Sequence, residues 1–212
     1  MSFTVAFADI EPRERYKLLC ATIVPRPIAL VTSIGQDGVV NAAPFSFFNV
    51  FSEDPPLVVL GLQHRPEARK DTTRNIAETG AFVVNLVDEG LAQAMNLCAV
   101  DFPPGVSEVE AAGLDLLPGV DVAVPRIAPA PFSFECRRTV ALAFGPQREL
   151  LVGEVLRLHA RAGLIDAARL RVDMDAYRPI GRLFGDRYAR QGDRFAMERE
   201  SFEAWRDGQP RS

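Results

Sequence analysis

Residues 134–144 alternate along the chain. Phe134, Cys136, Arg138, Val140, Leu142 and Phe144 fall on one side, and Glu135, Arg137, Thr139, Ala141 and Ala143 on the other. All of the first set except Arg138 are apolar, and a period of two belongs to a half-buried β-strand. Gly145 to Arg148 can turn the chain into a second long strand over 149–160. Two long strands joined by so short a connection commit this half of the chain to antiparallel pairing.

Four more apolar runs read as strands: 28–34, 39–43, 57–62 and 81–87. Asp37-Gly38 marks a turn between the first two and predicts a hairpin. Short helices fit between the strands. Residues 11–19 have helical spacing, with Pro12 in the first turn, where its missing N–H costs nothing. Residues 72–79 end at Gly80, a natural helix stop. Residues 91–99 carry Leu91, Ala94, Met95 and Cys98 on one side. Residues 63–70 read as a polar loop, and 101–130, rich in Pro and Gly, as a long surface excursion. Residues 175–190 read as a glycine-punctuated loop, and 195–205 as a polar terminal segment. Six strands joinable by hairpins favour a mainly β fold, an antiparallel barrel with short helices, over a doubly wound sheet. Without a repeat or an obvious linker, residues 1–212 read as a single domain.

Composition narrows the function. A net charge of −4 with no Lys/Arg run argues against nucleic acid and anionic membrane surfaces. No apolar stretch approaches the roughly 20 residues of a membrane span, and the N-terminus lacks a signal-peptide pattern, so a cytoplasmic location is expected. Cys20, Cys98 and Cys136 are scattered and odd in number. They read as buried small hydrophobes, with neither a disulfide framework nor a zinc site. Two histidines leave little material for a metal centre. GxGxxG, GxxxxGK[ST] and GxSxG are all absent.

Four segments suit a bound ligand, the last three of them an anionic one. Residues 41–49, Asn-Ala-Ala-Pro-Phe-Ser-Phe-Phe-Asn, set small residues and the Ser46 hydroxyl among aromatics. They read either as a ligand-contacting segment or as a buried strand corner broken by Pro44. Lys70-Asp71-Thr72-Thr73 opens a helix whose first N–H groups suit a phosphate, with capping by Asp71 or a threonine as the alternative. Arg26 lies between two prolines. It can clamp a phosphate, face a dimer partner or sit in solvent. Residues 178–188 add the charge of Arg182 and the aromatic face of Tyr188 to a stretch that Gly181 and Gly185 open to close approach, or form an ordinary surface loop.

The order of these segments resembles the flavin reductase-like, FMN-binding split-barrel family, in the branch of flavoredoxin and of the reductase components of flavin-dependent monooxygenases. Ile-Val-Pro-Arg-Pro-Ile-Ala-Leu-Val-Thr-Ser (23–33), the 41–49 stretch, Lys70-Asp71-Thr72 with Asn75-Ile76, Gly-Ala-Phe-Val-Val-Asn (80–85) and Gly181-Arg182-Leu183 with Tyr188 carry the likeness over residues 16–188. The resemblance implies a six-stranded Greek-key barrel and a homodimer with one FMN per subunit near the interface. It implies that Ser46, Phe47, Phe48 and Asn49 line the flavin, and that Lys70, Thr72 and Thr32 or Ser33 lie near the phosphate or ribityl chain. Phe184 departs from the family's Gly-Arg-Leu-Gly-Gly pattern. It either gates the flavin or packs into the barrel wall, and packing is expected.

These readings converge on an FMN-dependent oxidoreductase of the NAD(P)H:flavin reductase type, with NADH or NADPH as donor and a partner monooxygenase as one candidate acceptor. No side-chain acid or base is nominated. The alternatives are a flavin-carrying electron-transfer protein without a nicotinamide site, and a binding module that kept the barrel and lost the flavin.

Overall fold

The computed structural model describes residues 2–64, 69–103, 106–206 and 208. Parts of the expected 63–70 loop and 101–130 excursion therefore lie outside the described residues. Helix α1 (Pro12–Thr22) leads into β1 (Ala29–Ile34) and β2 (Val40–Phe45), which form the expected hairpin with Ser33 opposite Asn41. Gly38 in the turn has a φ of 79°, a conformation that costs glycine nothing. Then come β3 (Phe48–Glu53), β4 (Pro56–Gln63), α2 (Asp71–Thr79), β5 (Ala81–Leu86), α3 (Ala92–Leu97) and α4 (Glu108–Ala111). Gly80 stops α2 in the left-handed conformation, and its amide donates to the Ile76 carbonyl.

The short ladder β6 (Leu116–Leu117) and β7 (Arg126–Ile127) precedes the long hairpin β8 (Phe132–Ala143) and β9 (Arg148–Ala160). Two small hairpins, β10 (Ile165–Asp166) with β11 (Arg171–Val172) and β12 (Ile180–Arg182) with β13 (Tyr188–Arg190), and a last turn of helix, α5 (Phe202–Arg206), complete the described chain.

The main sheet runs β2-β1-β5-β8-β9-β4-β3, antiparallel throughout. Its two ends are halves of one stretch of chain. β2 pairs with β1; after a bend at Ser46 and Phe47 the same chain continues as β3, which pairs with β4. At the bend the Gly61 amide donates to the Phe47 carbonyl at 2.7 Å. Seven ladder strands thus fill the six positions of a closed barrel, one of them broken in the middle. β3 is the strand that sequence periodicity does not reveal, because its apolar Val50 and Phe51 are 70% and 68% exposed.

Two cores result. Val31, Leu60, Phe82, Val84, Cys136 and Leu151 fill the barrel, and Ile76 of α2 packs with them. Outside the barrel, Leu30 and Val87 pack beneath Leu91, Met95, Val109 and Ile127. The described part of the 101–130 stretch therefore does not stand off as a surface excursion; Val109, Leu114, Ile127 and Ala130 pack into the core on the outer face of the sheet. A charged side chain anchors it. Glu135, fully buried, accepts from the amides of Val120 at 2.8 Å, Asp121 at 2.6 Å and Val122 at 2.9 Å, and contacts His159 Nε2 at 2.5 Å. β8 also departs from its simple alternation. The register with β9 shifts at Glu135/Cys136 and again at Arg138/Val140. After the second shift Ala141 packs toward the barrel core and Val140 and Leu142 stand 44% and 46% exposed. A bulge inserts a residue and reverses which parity faces inward.

Candidate functional site

The break in the barrel wall is the centre of the site. Three cavities, of about 500, 510 and 450 Å³, share Pro44 and Phe45 at the end of β2. Glycine is required behind the break. A Cβ on Gly61 would stand 2.9 Å from the Phe47 Cβ, so a side chain here would push Phe47 out of place.

The first cavity opens on the start of α2, at Lys70, Asp71 and Thr72. The capping alternative is not realised. No side chain caps this helix; Asp71 instead pairs with Arg74 at 2.7 Å. Thr72 is buried, and its Oγ1 lies 2.8 Å from the Asn41 carboxamide. With the amide oxygen accepting from Thr72, the Asn41 nitrogen donates to both Glu108 oxygens at 3.2 Å. Glu108, on α4, completes a chain of polar groups along the cavity wall. Burial raises its carboxyl above the usual range, against the opposing pull of backbone amides that include Ala42. The neighbouring Cys98 thiol is pushed up to about 11, first by burial and then by Glu108. All three cysteines are buried and free.

The second cavity lies between α1, α3 and the β12–β13 hairpin, with Tyr16, Ser46, Asn96, Arg182 and Tyr188 in its wall. The Arg182 guanidinium stacks over the Tyr188 ring, 4.6 Å from its centroid, and donates to the Tyr188 hydroxyl and the Gly185 carbonyl. The third cavity, beside Phe47, includes Gly61, Lys70, Phe144, Arg148 and Glu149.

Of the residues expected at the site, Ser46, Phe47, Lys70, Thr72, Arg182 and Tyr188 come together around this cleft. Five do not. Thr32 and Ser33 are fully buried on β1, where Thr32 donates to the Pro125 carbonyl at 2.6 Å and Ser33 accepts from Asn75 at 3.2 Å. Phe48 packs against the barrel core. Asn49 is exposed on β3, its side chain turned back to the Val50 amide at 2.9 Å. Arg26 is buried and spends its guanidinium on the carbonyls of Cys20, Ile23 and Leu183, at 2.6, 2.9 and 3.1 Å, with Ser46 Oγ at 3.5 Å. It ties the end of α1 to the 183 loop behind the cleft. Phe184 is 40% exposed on the turn after Arg182, so the expected packing into the barrel wall does not occur.

Sequence reasoning missed Tyr16, Gly61, Glu108 and Arg148. Local pattern places Tyr16 on a helix face, and the others in a strand, an excursion and a turn. Nothing in their local pattern distinguishes them, because contacts between elements far apart in the sequence bring them to the cleft.

A closed antiparallel barrel with one broken strand and a cation- and aromatic-lined cleft at the break defines a split-barrel protein with a small-molecule site. Residues 21–181 match the family model described as flavin reductase like domain, and the chain belongs to that family. Its structure is similar to a 2-nitrobenzoate 2-nitroreductase of Pseudomonas fluorescens, at 42% identity, TM-score 0.88, over 94% of this chain and 98% of that one. It is also similar to component B of a nitrilotriacetate monooxygenase of Bacillus cereus, at 36% identity, TM-score 0.89, over 93% of this chain and 99% of that one. An uncharacterised protein of Halalkalibacterium halodurans is 38% identical over 197 residues, covering 90% of this chain and 93% of that one. Among the described residues no helix is long and apolar enough to cross a membrane.

Proposed function

We propose that the protein is an FMN-dependent oxidoreductase that takes electrons from NADH or NADPH. The observation that carries this reading is the uncapped start of α2, with Lys70 beside it, opening on the cavity that runs past Pro44 and Phe45. An uncapped helix start offers N–H groups and the positive end of a dipole to a phosphate. Family membership implies a flavin ligand, and the residues present fit one. The cavities are each of the size that small-molecule sites take, roughly 300–1,000 Å³, and they join an anion-binding end to an apolar floor.

Bound FMN supplies the two-electron redox chemistry. The chain supplies the rest. Lys70 and the first turn of α2 hold the phosphate. Pro44, Phe45 and Phe47 present an apolar floor that excludes water, and Gly61 leaves the space for it. The Thr72–Asn41–Glu108 chain fixes the wall beside the ribityl chain. Arg182, braced by Tyr188, brings a cation to the opposite rim. Tyr16, Leu19 and Ile23 on and after α1, and Val50 and Phe51 on β3, are large apolar residues left open to solvent. They support a homodimer in which the cleft lies near the subunit boundary.

A visible spectrum of the purified protein tests the reading. Flavin absorbance is expected, and a colourless protein that takes up no added FMN overturns it. Anaerobic bleaching by NADH or NADPH then separates a nicotinamide-dependent reductase from a flavin carrier. The likeness to a monooxygenase component B supports one further reading, in which the electrons pass on to a separate monooxygenase.

A further inference from the structure

Resting on the flavin reading above, we propose that the cavity beside Phe47 is the subsite for a planar aromatic carboxylate and that Arg148 recognises its charge. The cavity, about 450 Å³, lies between the strand break at Ser46 and Phe47, the Gly61 end of β4 and the start of β9. Its wall holds four aromatic rings, those of Tyr16, Phe45, Phe47 and Phe144. Tyr16 and Phe47 stand 6.5 Å apart between centroids, tilted by 42°. Phe47 and Phe144 are 46% and 64% exposed, although each has a large apolar surface to bury. Half-open rings gathered around one hollow give a flat apolar ligand its contact area.

The charge in the hollow is of one available sign. Glu149 is the cavity's carboxylate, and it is already engaged, with His64 Nε2 at 3.4 Å and Arg69 at 3.9 Å. Arg148 is exposed, and among the described residues its guanidinium makes a single hydrogen bond, to the Gln147 carbonyl at 3.1 Å, and no ion pair. Its remaining donors form a planar fork that matches a carboxylate in two parallel hydrogen bonds. Lys70 also borders this cavity, but it borders the neighbouring one as well, where the start of α2 claims it for the phosphate. Arg148, on β9, borders only this cavity of the three. The cation that the flavin phosphate does not need thus sits beside the aromatic hollow, which is the arrangement a ring bearing a carboxylate requires.

Titration calorimetry on the flavin-loaded protein tests this, with benzoate, benzamide and cyclohexanecarboxylate as probes and flavin content read by absorbance in the same sample. Benzoate is expected to bind at least tenfold more tightly than either of the others. Arg148→Gln is expected to weaken benzoate tenfold or more while leaving benzamide and the flavin content unchanged. Arg148→Lys keeps the charge without the fork and should fall between. Benzoate affinity unaffected by Arg148→Gln overturns the proposal. So does benzoate that binds only flavin-free protein and is displaced by FMN, since the cavity is then the flavin's own. Absent flavin absorbance would count against the flavin reading alone, because the heat of benzoate binding is measured independently of it.

Discussion

Lys70 and Thr72 are two residues apart and do different work. Lys70 is exposed at the start of α2, whereas Thr72 is 2% exposed and bonded to Asn41. Lys70→Ala is therefore expected to weaken FMN tenfold to a hundredfold, the value of about 1.5–3 kcal/mol for a charged hydrogen bond. Riboflavin, which has no phosphate, should bind nearly as before. Equal losses for the two flavins, measured by fluorescence titration, would remove Lys70 from the phosphate site. Phe184 calls for the opposite kind of experiment. At 40% exposure it has little core to lose, so Phe184→Ala should change stability by about 1 kcal/mol or less. A fall in melting temperature of the size that a buried phenylalanine gives would contradict its exposed position.

Among the elements, the 119–124 loop depends on Glu135. Burial acts to raise this carboxyl, but the His159 contact and the amides of Val120, Asp121 and Val122 outweigh it, and they hold it down from about 4.5 to about 2. A carboxyl whose pKa is lower in the folded chain than in the unfolded one stabilises the fold above about pH 4.5. That contribution declines as pH falls toward 2. Melting temperature should therefore drop across this window, and Glu135→Gln should flatten the drop while lowering stability at neutral pH. An identical acid profile in the two proteins would show that other groups set it. The long hairpin has its own constraint at Gly153. A Cβ there would lie 2.4 Å from the Phe82 ring, itself fully buried in the barrel. Gly153→Ala is expected to cost about 1–3 kcal/mol by overpacking, read as a lower denaturation midpoint, and Phe82→Leu in the same chain should recover part of it.

At the scale of the whole molecule, the barrel closes upon itself and still leaves large apolar residues of the α1 region and of β3 in solvent. Tyr16, Leu19, Ile23, Val50 and Phe51 are each at least 45% exposed. A two-fold interface uses the same patch on both copies, so sedimentation at micromolar concentration should give a dimer. Charged substitutions at Val50 and Phe51, which are exposed in the single chain and cost its fold little, should shift the equilibrium toward monomer. A monomer that binds FMN tightly would remove this model.

The sequence by itself determined the mainly antiparallel class, the β1–β2 hairpin, the helix ended by Gly80 and the long β8–β9 pair. Each follows from period, turn glycine or cap, which act over a few residues. Through family resemblance it also singled out Ser46, Phe47, Lys70, Thr72, Arg182 and Tyr188, which the fold brings together around one cleft. Tertiary structure alone decided the rest. β3 stayed hidden because a strand with exposed Val50 and Phe51 has no inward stripe to read. Thr32 and Ser33 lie away from the cleft cavities because β1 is in the middle of the sheet, between β2 and β5, where their hydroxyls find buried partners. Arg26 was drawn to three backbone carbonyls that its neighbours in sequence do not announce. Glu108 meets Asn41 and Arg148 pairs opposite Gln63, contacts between residues far apart in the sequence that leave no local mark.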